Sequence, residues 1–135
     1  MASDTHQFIM GLIIKAMQST DCKIIALEGK YPGLLDEKLR LPPQVTRHRP
    51  DVVGIRLNQQ VCLGEAKTEK DVSSSRTREQ LNDFTTVQVN GVTCDVYVGI
   101  PGSSRATFDH MLRTEGLDQC ENLHVLYVPD EIINE

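Results

Sequence analysis

The residues with the clearest chemical potential lie in two runs near the middle of the chain. The first is Arg49-Pro50-Asp51 followed by an apolar stretch, and the second is an apolar stretch ending in Gly64-Glu65-Ala66-Lys67. Two carboxylates brought close together repel, and a hard divalent cation relieves the repulsion. Mg²⁺ commonly takes one or two carboxylates and completes its shell with water and substrate phosphate. A cation so held lowers the pKa of a bound water and offsets the charge that builds on a phosphodiester under attack. A lysine beside it orients or deprotonates that water, or neutralises a phosphate oxygen. The chemistry that Asp51, Glu65 and Lys67 suit is metal-dependent hydrolysis of nucleic acid.

For that, two strands must present the three side chains on one face. Residues two apart on a strand share a face. Asp51, Val53, Ile55 and Leu57 then point one way on a first strand, and Val61, Leu63, Glu65 and Lys67 one way on a second. Matching the apolar halves predicts an antiparallel hairpin with a three-residue loop, Asn58 to Gln60, and Leu57 opposite Val61. Ile55 then faces Leu63, Val53 faces Glu65, and Asp51 faces Lys67. Glu65 lies diagonally from Asp51, within about 7–8 Å. A one-residue slip would place the two sets on opposite faces. Gly64 and Ala66, on the other face, allow close packing beneath the site.

The surrounding elements follow from periodicity. An i, i+3/i+4 apolar stripe of Phe8, Ile9, Leu12, Ile13, Ala16 and Met17 predicts a helix from His6 to Ser19. Lys23 to Glu28 reads as a strand. A long Pro- and Gly-containing excursion follows, with a helical turn expected at Leu34 to Leu39; long loops in small domains are often functional. The hairpin strands are expected from Thr46 to Leu57 and from Gln60 to Thr68. A helix from Thr77 to Val89 has capping-box spacing at Thr77 and Gln80. A strand from Thr93 to Ile100, a helix from Ser104 to Thr114 ended by Gly116, and a strand from Leu123 to Val128 complete the order. The prediction is an α/β fold of order α-β-β-β-α-β-α-β, with a mixed central sheet flanked by helices.

At 135 residues, 39% hydrophobic and 24% charged, the chain suits a single domain, 1–135, with one core. No apolar run approaches the roughly 18 residues of a membrane span. Lys15 interrupts the apolar stretch from Phe8 to Met17, which reads against a secretory signal. Cys22, Cys62, Cys94 and Cys120 are too scattered for a zinc knuckle or redox motif, so the expected setting is a reducing cytoplasm. The net charge is −5, but residues 38–79 hold nine Lys/Arg against five acids, while residues 80–135 hold two against nine. The basic field therefore gathers around the proposed site, as phosphate binding requires.

Pro50-Asp51 followed by Glu65-Ala66-Lys67 on the next strand resembles the PD-(D/E)xK nuclease superfamily. That group includes restriction endonucleases, archaeal Holliday-junction resolvases, lambda exonuclease and RecB-type nuclease domains. The likeness spans about Lys23 to Ile100 and implies a restriction-endonuclease-like αβββαβ core. It also implies that Asp51, Glu65 and the Ala66 backbone carbonyl hold Mg²⁺ or Mn²⁺, and that Lys67 assists the attacking water. Gln80, opening Gln-Leu-Asn-Asp-Phe84, resembles the Gln-x-x-x-Tyr motif of the RecB and lambda exonuclease branch, with Phe84 in place of tyrosine. The expected activity is that of an endodeoxyribonuclease on DNA. A homodimer fits the need for two sites to cut two strands. The rival reading is a catalytically degenerate DNA-binding or assembly subunit that kept the fold.

Secondary candidates surround this set. Members of the superfamily often carry a further acid on the first helix. Here that helix offers only Asp4, and Glu28 at the end of the first strand is the alternative carboxylate. Strand alternation places Arg47 and Arg49 on the Asp51 face as phosphate contacts, and Lys70, Arg76 and Arg78 flank the loop after Lys67 as further backbone grips. His48 is a weak general-base candidate. His6, His110 and His124 show no metal-ligand spacing, and Tyr31 on the long loop is a candidate for base stacking.

Overall fold

The computed structural model describes residues 4–35 and 38–133. The chain opens with α1 (Asp4–Ser19), begun two residues before the expected start. Its buried face is Ile9, Met10, Ile13, Ile14 and Met17, while Phe8 is exposed, so the helix is turned from the expected stripe. The sheet beneath supplies the reason. A Cβ on Gly64 would lie 2.9 Å from Ile13 Cγ2, one on Gly99 2.6 Å from Ile9 Cγ2, and one on Gly54 3.2 Å from Met17 Cε. Three glycines on adjacent strands thus form a shallow bed for the helix.

After β1 (Lys23–Leu27), a turn at residues 32–34 follows, and the helical turn expected over Leu34 to Leu39 falls in part outside the described residues. β2 (Val52–Ile55) and β3 (Val61–Ala66) form the anticipated hairpin, with Ile55 opposite Val61, Val53 opposite Leu63 and Val52 opposite Gly64. The loop still has three residues but begins one earlier, Leu57 to Gln59. The Arg56 amide donates to the Gln60 carbonyl at 3.0 Å, and Gln59 takes φ +73°. Leu57, expected on the apolar face, is 96% exposed. Moving the loop by one shifts the register by two. Because the side-chain period is two, every residue keeps its face and only its neighbour changes. Asp51 now sits beside Glu65 rather than Lys67.

α2 (Ser75–Thr86) starts earlier than expected because Ser74 is its cap, accepting from the Thr77 amide at 3.2 Å. The predicted capping box therefore does not form. Thr77 is the third helical residue, and Gln80 is left for another partner. The helix also stops short of Val89. Asn90 and Gly91, at φ +53° and +78°, turn a short hairpin of β4 (Gln88–Val89) and β5 (Val92–Thr93), the geometry an Asn-Gly pair favours. β6 (Asp95–Pro101), α3 (Arg105–Glu115) and β7 (Leu123–Val128) follow closely as expected, with Gly116 at φ +73° ending α3. A last turn, α4 (Asp130–Ile133), closes the described chain.

The result is a mixed five-stranded sheet of order β1-β2-β3-β6-β7, antiparallel through β3 and parallel from β3 to β7. α1 covers one face over Val52, Cys62, Ala66 and Tyr97. α2 and α3 cover the other, where Leu81, Phe84, Phe108 and Met111 pack on Val53, Leu63, Val96 and Val98. Among the described residues no helix is long and apolar enough to cross a membrane. All four cysteines are free, and Cys22, Cys62 and Cys94 are buried.

Candidate functional site

Asp51 immediately precedes β2, and its position is fixed through its backbone. Its amide donates to the Gly64 carbonyl at 3.0 Å and to Glu65 Oε1 at 2.9 Å, and its carbonyl accepts from the Glu28 amide at 3.2 Å. One carboxylate oxygen, Oδ2, accepts the Ala66 amide at 2.9 Å. The two acids are therefore neighbours that share a hydrogen-bond lattice. On the same face as Glu65, Lys67 extends β3 by one residue. Its amide donates to the Gly99 carbonyl at 3.0 Å. Its Nζ lies 3.3 Å from Glu65 Oε2 and donates to Gln80 Oε1 from α2. Asp51, Glu65, Lys67 and Gln80 thus converge, with Glu65 3% exposed, Lys67 8% and Gln80 2%.

The electrostatics match this crowding. Burial, followed by the charge of Asp51, pushes the Glu65 carboxyl up to about 8; Lys67 only partly offsets them. A carboxylate raised in this way is one that a bound cation would return to its ionised form.

Sequence reasoning missed His6. Its Nε2 lies 3.3 Å from Asp51 Oδ2, and that contact, ahead of the opposing effect of burial, raises its pKa above the usual imidazole value. On the first helix it is therefore His6, and not the exposed Asp4, that meets Asp51. A signal was present: His6, Ile9, Met10 and Ile13 follow i, i+3, i+4, i+7, so the histidine prolongs the buried stripe toward the end of the sheet.

The remaining candidates are placed differently. Glu28 is exposed at the end of β1 and meets Asp51 through its backbone amide. Arg47 and Arg49 do not lie on a strand, because β2 begins only at Val52. Arg47 sits in a tight turn closed by Val45 and His48 at 2.7 and 3.1 Å, with Thr46 at φ +58°, and Arg49 follows that turn, so strand alternation does not set the direction of either side chain. Arg47 forks onto Asp83 at 2.8 and 3.0 Å and reaches Glu79 at 3.0 Å. His48 is buried edge-on to Phe84 and meets Glu79 Oε1 at 2.7 Å. His48, Glu79 and Asp83 have ligand atoms within 4.8 Å of one another, a set that could hold a cation. Arg47 already neutralises both carboxylates of that set. Arg49, Lys70, Arg76 and Arg78 are exposed.

No protein-family model, curated protein or solved structure gives a significant match to this chain.

Proposed function

We propose that the protein is a Mg²⁺- or Mn²⁺-dependent deoxyribonuclease of restriction-endonuclease-like fold, acting as an endonuclease. The observation that carries this reading is the buried Glu65 carboxylate, shared between the Asp51 amide and the Lys67 amine with a second carboxylate alongside. The donors fit a hard cation: Asp51, Glu65 and the Ala66 carbonyl are oxygen ligands, and the raised Glu65 pKa marks a charge that lacks compensation. Bound there, the metal would supply Lewis acidity toward a phosphate oxygen and acidify a water.

The chain's own residues would do the rest. Gln80 holds Lys67 Nζ by its amide oxygen, fixing the amine beside Glu65 rather than letting it swing to solvent. From that position the amine orients the attacking water or neutralises a phosphate oxygen. His6 and the Ala66 amide pin Asp51 Oδ2 and leave Oδ1 as the oxygen available to a ligand. The hydrolysis breaks a P–O bond with water as the nucleophile. Exposed Arg49, Lys70, Arg76 and Arg78 provide cations for the DNA backbone, which position it without reading its sequence. A homodimer would supply the second site that two-strand cutting needs.

The test is cleavage of duplex, single-stranded, flapped and four-way-junction DNA with and without Mg²⁺. Asp51→Asn, Glu65→Gln and Lys67→Ala are each expected to lower the rate at least about a hundredfold with the fold retained, the scale of losing one electrostatic participant. Equal rates for wild type and all three variants refute the assignment. DNA binding without cleavage by wild type supports the degenerate assembly subunit instead.

A further inference from the structure

We propose that a cleft beside Asp51, formed by Leu27, Lys30, Tyr31, Leu35, Lys38 and Leu39, binds one unpaired nucleotide, so that the preferred substrate is DNA with a single-stranded end or overhang. The inference deepens the nuclease reading and rests on it for the identity of the neighbouring phosphate site.

The cleft has a volume of ≈ 370 Å³, at the small end of ligand pockets and suited to one nucleotide rather than several. Its place is set by the backbone: Leu27 ends β1, and the next amide, that of Glu28, donates to the Asp51 carbonyl. The cleft is thus one residue removed from the strand end that carries the first carboxylate. Tyr31 lines it as a half-buried aromatic whose ring rests on Gly29. A Cβ at Gly29 would come within 3.4 Å of the ring edge, and φ +104° there favours glycine. Burial, then the charges of Asp51 and Glu28, holds the Tyr31 phenol up at about 12, so it stays protonated at neutral pH.

Around the ring, Leu27, Leu35 and Leu39 make an apolar wall, while Lys30 and Lys38 are exposed at the margin. An aromatic ring with apolar walls and cations at the lip is the arrangement that receives a base and its phosphates without reading sequence. A base inside duplex DNA cannot enter without unstacking and unpairing, which is unfavourable. An end or overhang already has its base free, and from this selectivity follows.

The test uses the full chain with Glu65→Gln, in EDTA, so that cleavage is suppressed both by the variant and by the lack of free divalent metal. Binding of a fluorescent duplex with a short overhang is compared with that of the same duplex blunt-ended. The overhang is expected to bind about tenfold more tightly, and Tyr31→Ala to reduce that ratio by about tenfold, the effect of one lost stacked base. Tyr31→Phe, which keeps the ring, should hold the ratio within about twofold of the parent.

Should Tyr31→Ala fold poorly, Lys30→Ala with Lys38→Ala carries the test, since both lysines are exposed. That pair should reduce the salt slope of overhang binding by about 1.4, two single-strand phosphate contacts at roughly 0.7 each. Equal affinity for overhang and blunt ends, or a ratio untouched by Tyr31→Ala and a slope untouched by the lysine pair, overturns the proposal. So does failure to bind either DNA. Overhang preference with no Mg²⁺-dependent cleavage by wild type sinks the nuclease reading alone, while cleavage with no overhang preference sinks the cleft alone.

Discussion

Glu65→Gln should stabilise the metal-free protein at neutral pH while removing its response to Mg²⁺. The carboxyl's ordinary value is 4.5, and burial beside Asp51 raises it to about 8 in the fold. Between those values the folded state holds a proton that the unfolded state has released. Stability is therefore fully present below pH 4.5 and is lost as pH rises toward 8, by up to ~1.4 kcal/mol per pH unit. At pH 7 the penalty amounts to about 3 kcal/mol. Glutamine takes up no proton, and its oxygen can still accept the Asp51 amide. Its NH₂ group, however, cannot accept from Lys67 Nζ, now 3.3 Å from Glu65 Oε2, a loss of roughly 1–2 kcal/mol.

The net gain at pH 7 is about 1–2 kcal/mol, or roughly 3–8 °C in Tm for a domain of this size. At pH 5 the penalty has shrunk below ~1 kcal/mol, so the order should reverse. Thermal melts followed by circular dichroism in EDTA from pH 5 to 8 test this through a crossing of the two curves. Saturating Mg²⁺ should raise the wild-type Tm and leave the variant unmoved, since only a ligand of the native state stabilises it. Parallel pH curves for the two proteins would refute the claim that this carboxylate is held under electrostatic strain.

Two further expectations concern the helix over the sheet. Gly99→Ala drives a Cβ to 2.6 Å from Ile9 Cγ2 and 3.1 Å from Ile13 Cδ1, and should cost about 1–3 kcal/mol in denaturant titration. It should also lower cleavage, because lifting α1 carries His6 away from Asp51; an unchanged midpoint would show that the bed of glycines is not tight. His6→Ala removes the contact to Asp51 Oδ2 and should raise the Mg²⁺ concentration for half-maximal cleavage about tenfold, as the loss of groups that orient metal ligands does. An unaltered Mg²⁺ requirement would remove His6 from the site.

Much of this protein was legible in its residues taken in order. Apolar periodicity located the major helices and the sheet strands, and Gly116 marked the end of α3, because these features depend on neighbours a few residues away. The shared face of Asp51, Glu65 and Lys67 was also readable, since alternation survives a two-residue change of register. Which of the three would be adjacent was not. That depended on whether the loop closed at Arg56 or Leu57, a choice made by the left-handed turn at Gln59. The Asn90-Gly91 hairpin carried a clear local signal, yet the helical pattern before it concealed where α2 ends.

The remaining features belong to tertiary structure alone. Gln80 was a capping candidate until Ser74 took that place and left its amide for Lys67. Arg47 became the partner of Asp83 and Glu79 because its turn folds against α2. His6 reaches Asp51 across 45 positions because glycines let α1 settle onto the sheet. Local chemistry determines which groups are available and which way each strand aims them. Packing over long sequence separations determines which of them touch, because the energy that brings them together comes from burying apolar surface elsewhere in the fold.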